Sequence, residues 1–351
     1  MIKRIRSPGY NLDFNPKTGF TARWGKTLKD DPKFSPCGPE ILDIEVSTIC
    51  HGINGPCEHC YKSNTNQGKN MNFETFETII EKFPRTLTQI AFGIGDIDGN
   101  PDLFKMFEYC REIGVVPNLT INGARMTNEY YDKLAKLCGA VAVSRYTPKY
   151  ICYNAVDKLT ERGMDQVNIH MLVANETVYD CLELLTDYQS DKRLKKLNAI
   201  VFLLLKPKGK RNQLTMLKDR QTYKYLVDEA LLSKIPIGFD SCSAPKFLQA
   251  VHNDKERFGY YKMISESCES SLFSSYINVD GKYFHCSFVE GLLGWEGIDV
   301  VNCDNFLQDV WFGKETMRFR NLLLNQTEQY VHRTLGCEVG DCRLCPVYNL
   351  Y

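Results

Sequence analysis

From Ile41 onward the chain alternates between short apolar runs and amphipathic ones, and no other feature limits the fold as much. Strand-like runs cover Ile41–Thr48, Gln89–Ile94, Val115–Thr120, Ala140–Ser144, Gln166–Val173 and Leu197–Leu205. Between them lie helix-like runs over Phe73–Phe83, Asp102–Ile113, Asn128–Leu137, Lys149–Arg162 and Glu176–Asp187, and Leu214–Ser233 follows the sixth strand. Gly114 and Gly163 supply stop signals after two of the helices. Six βα units in succession predict an α/β fold with right-handed crossovers, a partial (β/α)6 TIM-like barrel. In such a sheet the functional groups gather at the carboxyl ends of the strands. A seventh short run, Ile235–Phe239, leads into Asp240-Ser-Cys-Ser-Ala-Pro245, after which the periodicity weakens. Residues 41–245 are therefore read as the barrel, and residues 246–351 as a small cysteine-rich α+β domain. Residues 1–40 are read as a hairpin extension. Tyr10-Asn-Leu-Asp-Phe and Phe20-Thr-Ala-Arg-Trp flank the turn Asn15-Pro-Lys-Thr-Gly19, expected to cover a sheet edge or the barrel bottom.

The first strand runs into Cys50-His-Gly-Ile-Asn-Gly-Pro-Cys57-Glu-His-Cys60-Tyr61, a C-x6-C-x2-C loop. Three thiolates from one short loop make a soft metal or iron–sulfur site. A structural zinc takes four closed ligands. A cubane held by three leaves one iron open to chemistry. The chain has 15 cysteines. Its start, Met-Ile-Lys-Arg-Ile-Arg-Ser, lacks the apolar stretch of a signal peptide, so a cytoplasmic location is expected and clustered cysteines point to metal rather than disulfides. Others, including Cys110, Cys138 and Cys181, sit in apolar patterns and are read as small buried hydrophobes. The 43 basic and 43 acidic residues cancel, which gives no reason to expect nucleic acid or an anionic membrane as partner. No apolar run is long enough to span a bilayer.

The cysteine loop resembles that of radical S-adenosylmethionine (SAM) enzymes, where the usual spacing is C-x3-C-x2-C. Here Gly52, Gly55 and Pro56 lengthen the first gap. The resemblance implies a [4Fe–4S] cluster on Cys50, Cys57 and Cys60, its fourth iron chelating the cofactor, with Tyr61 beside it. Phe92-Gly-Ile-Gly95-Asp96-Ile-Asp-Gly-Asn-Pro101-Asp-Leu103 is similar to the family's G-G-E-P segment, with Asp96 at the Glu position and Gly95 letting the backbone approach the cofactor's amino group. The plainer alternative is a glycine-rich turn with Asp98 or Asn100 capping the next helix. Leu119-Thr-Ile-Asn122-Gly123 is similar to the family's T-N-G. By the same resemblance Ser144 and Arg145 reach the cofactor's ribose or carboxylate, Arg145 being alternatively a surface residue. His170 shares a strand face with Asn168 and points into the barrel, as a cofactor contact or a core histidine. Lys206-Pro-Lys-Gly-Lys-Arg-Asn212 is a cationic loop, either solvated or facing an anionic substrate, and the resemblance implies that Gly209 in it lets the backbone approach the adenine. Asp240 and Cys242 are candidates to exchange a proton or hydrogen atom with substrate, or else a cap and a buried thiol.

After residue 267 the pattern is Cys268-x12-Gly281-x4-Cys286, then Cys303, then Cys337-x4-Cys342-x2-Cys345. This resembles the auxiliary-cluster domains called SPASM or twitch. Val279-Asp-Gly281-Lys-Tyr-Phe predicts a hairpin turn between the flanking cysteines. The resemblance implies one auxiliary [4Fe–4S] cluster on Cys268, Cys286, Cys342 and Cys345, with Cys303 and Cys337 in reserve; a four-cysteine zinc site is the alternative. The implied activity is reductive cleavage of SAM to a 5′-deoxyadenosyl radical, which abstracts a hydrogen atom from a peptide or small-molecule substrate. The implied electron donor is a flavodoxin or ferredoxin. The alternatives are radical modification of a nucleotide or nucleic acid, supported only by Lys206–Arg211, and a non-catalytic zinc-binding module.

Overall fold

The computed structural model describes residues 2–326 and 343–350. The strands are β1 (Lys3–Ser7), β2 (Tyr10–Phe14), β3 (Thr21–Trp24), β4 (Ile41–Glu45), β5 (Gln89–Gly93), β6 (Val116–Ile121), β7 (Val141–Ser144), β8 (Val167–Val173), β9 (Ala199–Leu204), β10 (Ile237–Phe239), β11 (Ser274–Ile277), β12 (Lys282–Phe284) and β13 (Ile298–Asp299). The α-helices are α1 (Phe73–Lys82), α2 (Leu103–Glu112), α3 (Asn128–Leu137), α4 (Lys149–Glu161), α5 (Val178–Ser190), α6 (Arg220–Leu232), α7 (Ala244–Val251), α8 (Phe258–Ile264) and α9 (Lys314–Leu324). The alternation expected from Ile41 is present, and the protein is a mixed α/β fold built on a large parallel sheet of the partial-barrel kind. Two compact units divide the chain: residues 1–56, 64–141 and 270–320, and residues 57–63, 142–269 and 321–351.

In the first unit β4, β5 and β6 are parallel neighbours, with Ile41 opposite Gln89 and Gln89 opposite Val116. Their helices form where the pattern predicts. Asn72 caps α1 by accepting the Thr75 N–H at 2.9 Å, and the helix buries Phe73, Phe76, Ile79 and Ile80. Thr127 caps α3 in the same way through the Tyr130 N–H. On its other side β4 pairs in parallel with β11, Ser274 lying opposite Ile41. Antiparallel β12 follows, and Gly281 turns the hairpin at φ +73°, as its sequence predicts. The amino-terminal hairpin is larger than its turn chemistry announces. β1 adds to β2 to make a separate three-stranded sheet, with Arg6 donating to Asp13 at 2.6 Å. Lys3, Arg4 and Arg6 crowd β1 around a single apolar residue, Ile5, which hides its strand period from a hydrophobicity reading.

In the second unit the strand order is β10-β9-β8-β7, with parallel pairing of β8 to β9 and of β9 to β10. α6 begins at Arg220, six residues later than its apolar pattern suggests, because Asp219 caps it through the Thr222 N–H at 2.7 Å. Cys110, Cys138 and Cys181 are buried as expected, and burial pushes the Cys110 and Cys181 thiols up to about 12. Among the described residues no helix is long and apolar enough to cross a membrane.

Candidate functional site

In the first unit, the carboxyl ends of β4, β5 and β6 bring four of the predicted residues together. Cys50 follows β4 and is held by its N–H to Thr65 O at 2.8 Å. Gly95, after β5, passes directly beneath it. A Cβ there would stand 2.2 Å from Ile49 O and 2.4 Å from Cys50 Cβ, so this crossing requires glycine. Asp96 is fully buried. Its carboxylate accepts the His51 N–H at 2.6 Å and the Asn122 side-chain amide at 3.0 Å, and lies 2.9 Å from His51 Nδ1. The Cys50 thiol sits 3.8 Å away, and Arg125 Nε is at 4.0 Å. Asp96 thus ties the amino end of the cysteine loop to the strand ends. Of the two residues of the capping alternative, Asn100 accepts the Asp102 N–H through its side chain at 2.9 Å just ahead of α2, while Asp98 is engaged elsewhere. Asp98 forms a forked pair with Arg125, at 2.8 and 2.5 Å, which holds its carboxyl below the usual range. Asn100 is buried, donating to Val46 O and Met71 O.

In the second unit, Cys57 and Cys60 share a tight turn, with the Cys60 N–H on Cys57 O at 3.4 Å. The cationic loop packs on this turn instead of lying wholly in solvent. Arg211 Nε donates to Cys57 O at 3.4 Å, the Lys210 N–H donates to Ser63 Oγ at 2.8 Å, and Lys208 Nζ lies 5.9 Å from the Tyr61 ring. Gly209 has φ +110°, and a Cβ there would fall 2.4 Å from Cys60 O. It meets the backbone of the cysteine turn. His59 packs on Tyr146 at 5.4 Å, and its Nε2 is buried without a hydrogen-bond partner among the described residues.

Ser144 closes β7. Arg145 beside it is no surface residue: it is buried, and its guanidinium meets Glu183 and Asp180 on α5. Its Nε lacks a partner among the described residues. Lys206 is also buried, and its ammonium pairs with Asp240, which accepts the Leu204 N–H at 3.2 Å as well. Sequence reading counts Lys206 with the loop cations. Its position directly after a strand whose neighbours Leu204 and Leu205 are buried is the signal that separates it.

Burial pushes His170 down to about 4, against the pull of the Asp240 charge. The imidazole is neutral at pH 7. Because its folded value lies below its unfolded value of about 6.5, the unfolded chain takes up the proton first as pH falls. The stability contributed by neutral His170 is complete above about pH 6.5 and is lost as pH falls toward 4, at most about 3 kcal/mol. His170→Gln should flatten the dependence of unfolding free energy on pH across this window in urea titrations. An unchanged slope would show that His170 does not carry it.

Of the tail cysteines, Cys286 and Cys303 belong to the first unit, and the Cys303 thiol donates to Val300 O at 3.3 Å. Cys337 and Cys342 lie outside the described residues. Cys242, Cys268 and Cys345 belong to the second unit. Among the described residues no three His, Cys, Asp or Glu side chains converge to hold a single metal ion. The donor chemistry nonetheless suits a thiolate-held cluster. The described cysteines form no disulfides, glycines clear the backbone at Cys50 and Cys60, and an unsatisfied imidazole nitrogen stands beside Cys60 in sequence.

No family model and no curated protein sequence matches the chain. Solved structures do. SuiB of Streptococcus suis bound to S-adenosylmethionine aligns with a TM-score of 0.63 at 14% identity, covering 86% of this chain and 71% of that one. The same protein bound to its precursor peptide SuiA aligns with a TM-score of 0.64 at 15% identity, covering 86% and 70%. anSMEcpe with bound AdoMet aligns with a TM-score of 0.59 at 16% identity, covering 86% and 85%. The chain shares its fold with these S-adenosylmethionine-bound structures.

Proposed function

We propose that this protein is a radical SAM enzyme that carries out an oxidative modification of a peptide. The observation that supports this most is the meeting of Cys50, Gly95, Asp96 and Asn122 at the carboxyl ends of β4, β5 and β6, in a fold shared with SAM-bound proteins. In this reading Cys50, Cys57 and Cys60 hold a [4Fe–4S] cluster whose open iron takes the cofactor. When bound, that pair supplies a hydrogen-abstracting radical, which the protein itself has no means to make. The chain's own residues position and shield. Asp96 fixes the Cys50 end of the loop, and Arg211 and Lys210 fix the Cys57–Ser63 end. The 206–212 loop packs on Cys60, where Gly209 keeps the backbone close. Neutral His170 offers one donor and one acceptor without adding charge. A peptide substrate is favoured because SuiB and anSMEcpe have each been solved with a bound peptide.

Anaerobic reconstitution tests the reading. About eight irons per chain are expected from two cubanes. Reduction in the presence of SAM should release 5′-deoxyadenosine. Zinc at stoichiometry without SAM cleavage would favour the non-catalytic binding module. Turnover of a nucleotide but of no peptide would overturn the substrate class alone.

A further inference from the structure

We infer that the cavity between α6 and α7 is a binding site for a carboxylate group carried on a short apolar stem. The inference does not depend on the chemistry proposed above.

The cavity holds about 200 Å³, against roughly 300–1,000 Å³ for drug-sized ligands, so it takes a group the size of a side chain and not a whole cofactor. Arg220, Tyr223 and Lys224 on α6 line it, with Lys246 and Ala250 on α7 and His252 just past that helix. None of these residues belongs to the site described above, and both helices lie in the second unit. The local sequence gathers the charges. Asp219 caps α6, so Arg220 opens the helix and Lys224 stands one turn on, over the same face. Lys246 and Ala250 share a face of α7 by the same spacing.

Lys246 carries the argument. It is 3% exposed, in a helix whose Phe247, Leu248 and Ala250 are buried with it. An ammonium has three donors. Among the described residues this one reaches a single acceptor, Leu217 O, and forms no ion pair; the Tyr223 ring lies 5.0 Å away. A buried charge without an opposite partner is costly. The neighbours add to that cost. Arg220 and Lys218 bring like charge, and Asp219 alone opposes them. Burial first, then these two cations, push Lys246 down to about 8. Lys224 is already satisfied by Asp228, at 2.7 and 2.8 Å. Arg220 has no side-chain hydrogen bond or ion pair among the described residues. The open donors at the cavity therefore belong to Lys246 and Arg220, and a carboxylate has the two oxygens to meet them. The greater part of the lining is apolar, Tyr223 and Ala250 included. A phosphate would turn unpaired oxygens toward that surface, whereas a carboxylate on an apolar stem suits both walls.

The test is calorimetric titration of the full chain, reconstituted under anaerobic conditions. The probes are glutarate, inorganic phosphate, a capped tripeptide with a central glutamate, and its glutamine counterpart. Glutarate or the glutamate peptide should bind once per chain, saturating below about 10 mM. Affinity should fall by about tenfold between about pH 7 and about pH 9, because the protonated ammonium binds and Lys246 loses its proton around 8. Lys246→Met should weaken binding by about tenfold or more and remove this pH dependence. Arg220 is exposed, so Arg220→Gln keeps the fold, and it should weaken binding by roughly three- to tenfold even where Lys246→Met fails to fold. Glutarate bound without the peptide assigns the site to a free carboxylate. The glutamate peptide bound more tightly than glutarate and than its glutamine counterpart assigns it to an acidic peptide. Either result supports the inference. Saturation by neither overturns it. So does phosphate bound in preference to both, a glutamine peptide bound as tightly as the glutamate one, or binding that neither variant weakens. These readouts neither count iron nor follow SAM, so failure here leaves the proposed chemistry standing, and failure of that chemistry leaves this site standing.

Discussion

Cys57→Ala is expected to abolish 5′-deoxyadenosine release in reconstituted, reduced protein while leaving the auxiliary irons bound. Two thiolates do not retain a cubane that is held by only three. The variant should therefore lose about four irons per chain, and with them the open coordination position that SAM needs. The change keeps the two bonds that the Cys57 carbonyl accepts, from Arg211 and from the Cys60 N–H, since alanine retains that carbonyl. The comparison variant is Cys345→Ala. It should retain measurable SAM cleavage and lose conversion of substrate. Cleavage near the native rate in Cys57→Ala, or equal loss of cleavage in both, would contradict the division of labour between the two centres.

Asp96→Ala is expected to destabilise the first unit by about 1–3 kcal/mol, the range for leaving buried hydrogen-bond donors without their acceptor. The carboxylate has no exposed surface and gathers the His51 N–H and the Asn122 amide, with Arg125 opposite. Alanine leaves the first two donors without this acceptor. Asp96→Asn keeps the shape but turns an NH2 group toward one of those donors, so a smaller but real loss is expected. Urea unfolding measures the cost, and hydrogen exchange at the His51 amide should rise with it. A change within roughly 0.5 kcal/mol, the range of ordinary surface substitutions, would mean that the network does not hold the loop.

The fold was legible because period carries it. The βα units announce themselves through apolar alternation and helix stops, and their observed ends differ from the expected ones chiefly where a cap decides, as Asp219 does for α6. The meeting of Cys50, Gly95, Asp96 and Asn122 was legible too, since residues at successive strand ends in a parallel sheet become neighbours. The fate of individual charges was not. Arg145 and Lys206 look like surface or substrate-facing cations in sequence. Only the tertiary neighbours Glu183, Asp180 and Asp240 show them to be buried and paired. Nothing near these two in sequence names those partners, which lie 38, 35 and 34 positions away. Which thiols of the tail share a unit is set by chain path, and cysteine spacing does not encode that path.

The parallel pairing of β11 with β4 joins Ser274 to Ile41, positions on either side of all six βα units. During synthesis β4 therefore waits for most of the chain before its second neighbour emerges. Contacts of such long range slow folding, and an unpaired strand edge invites association with other chains in the meantime. The strand in question is the one that leads into Cys50. Until residue 277 has left the ribosome, the loop that carries Cys50 is fed by a strand still open on one side.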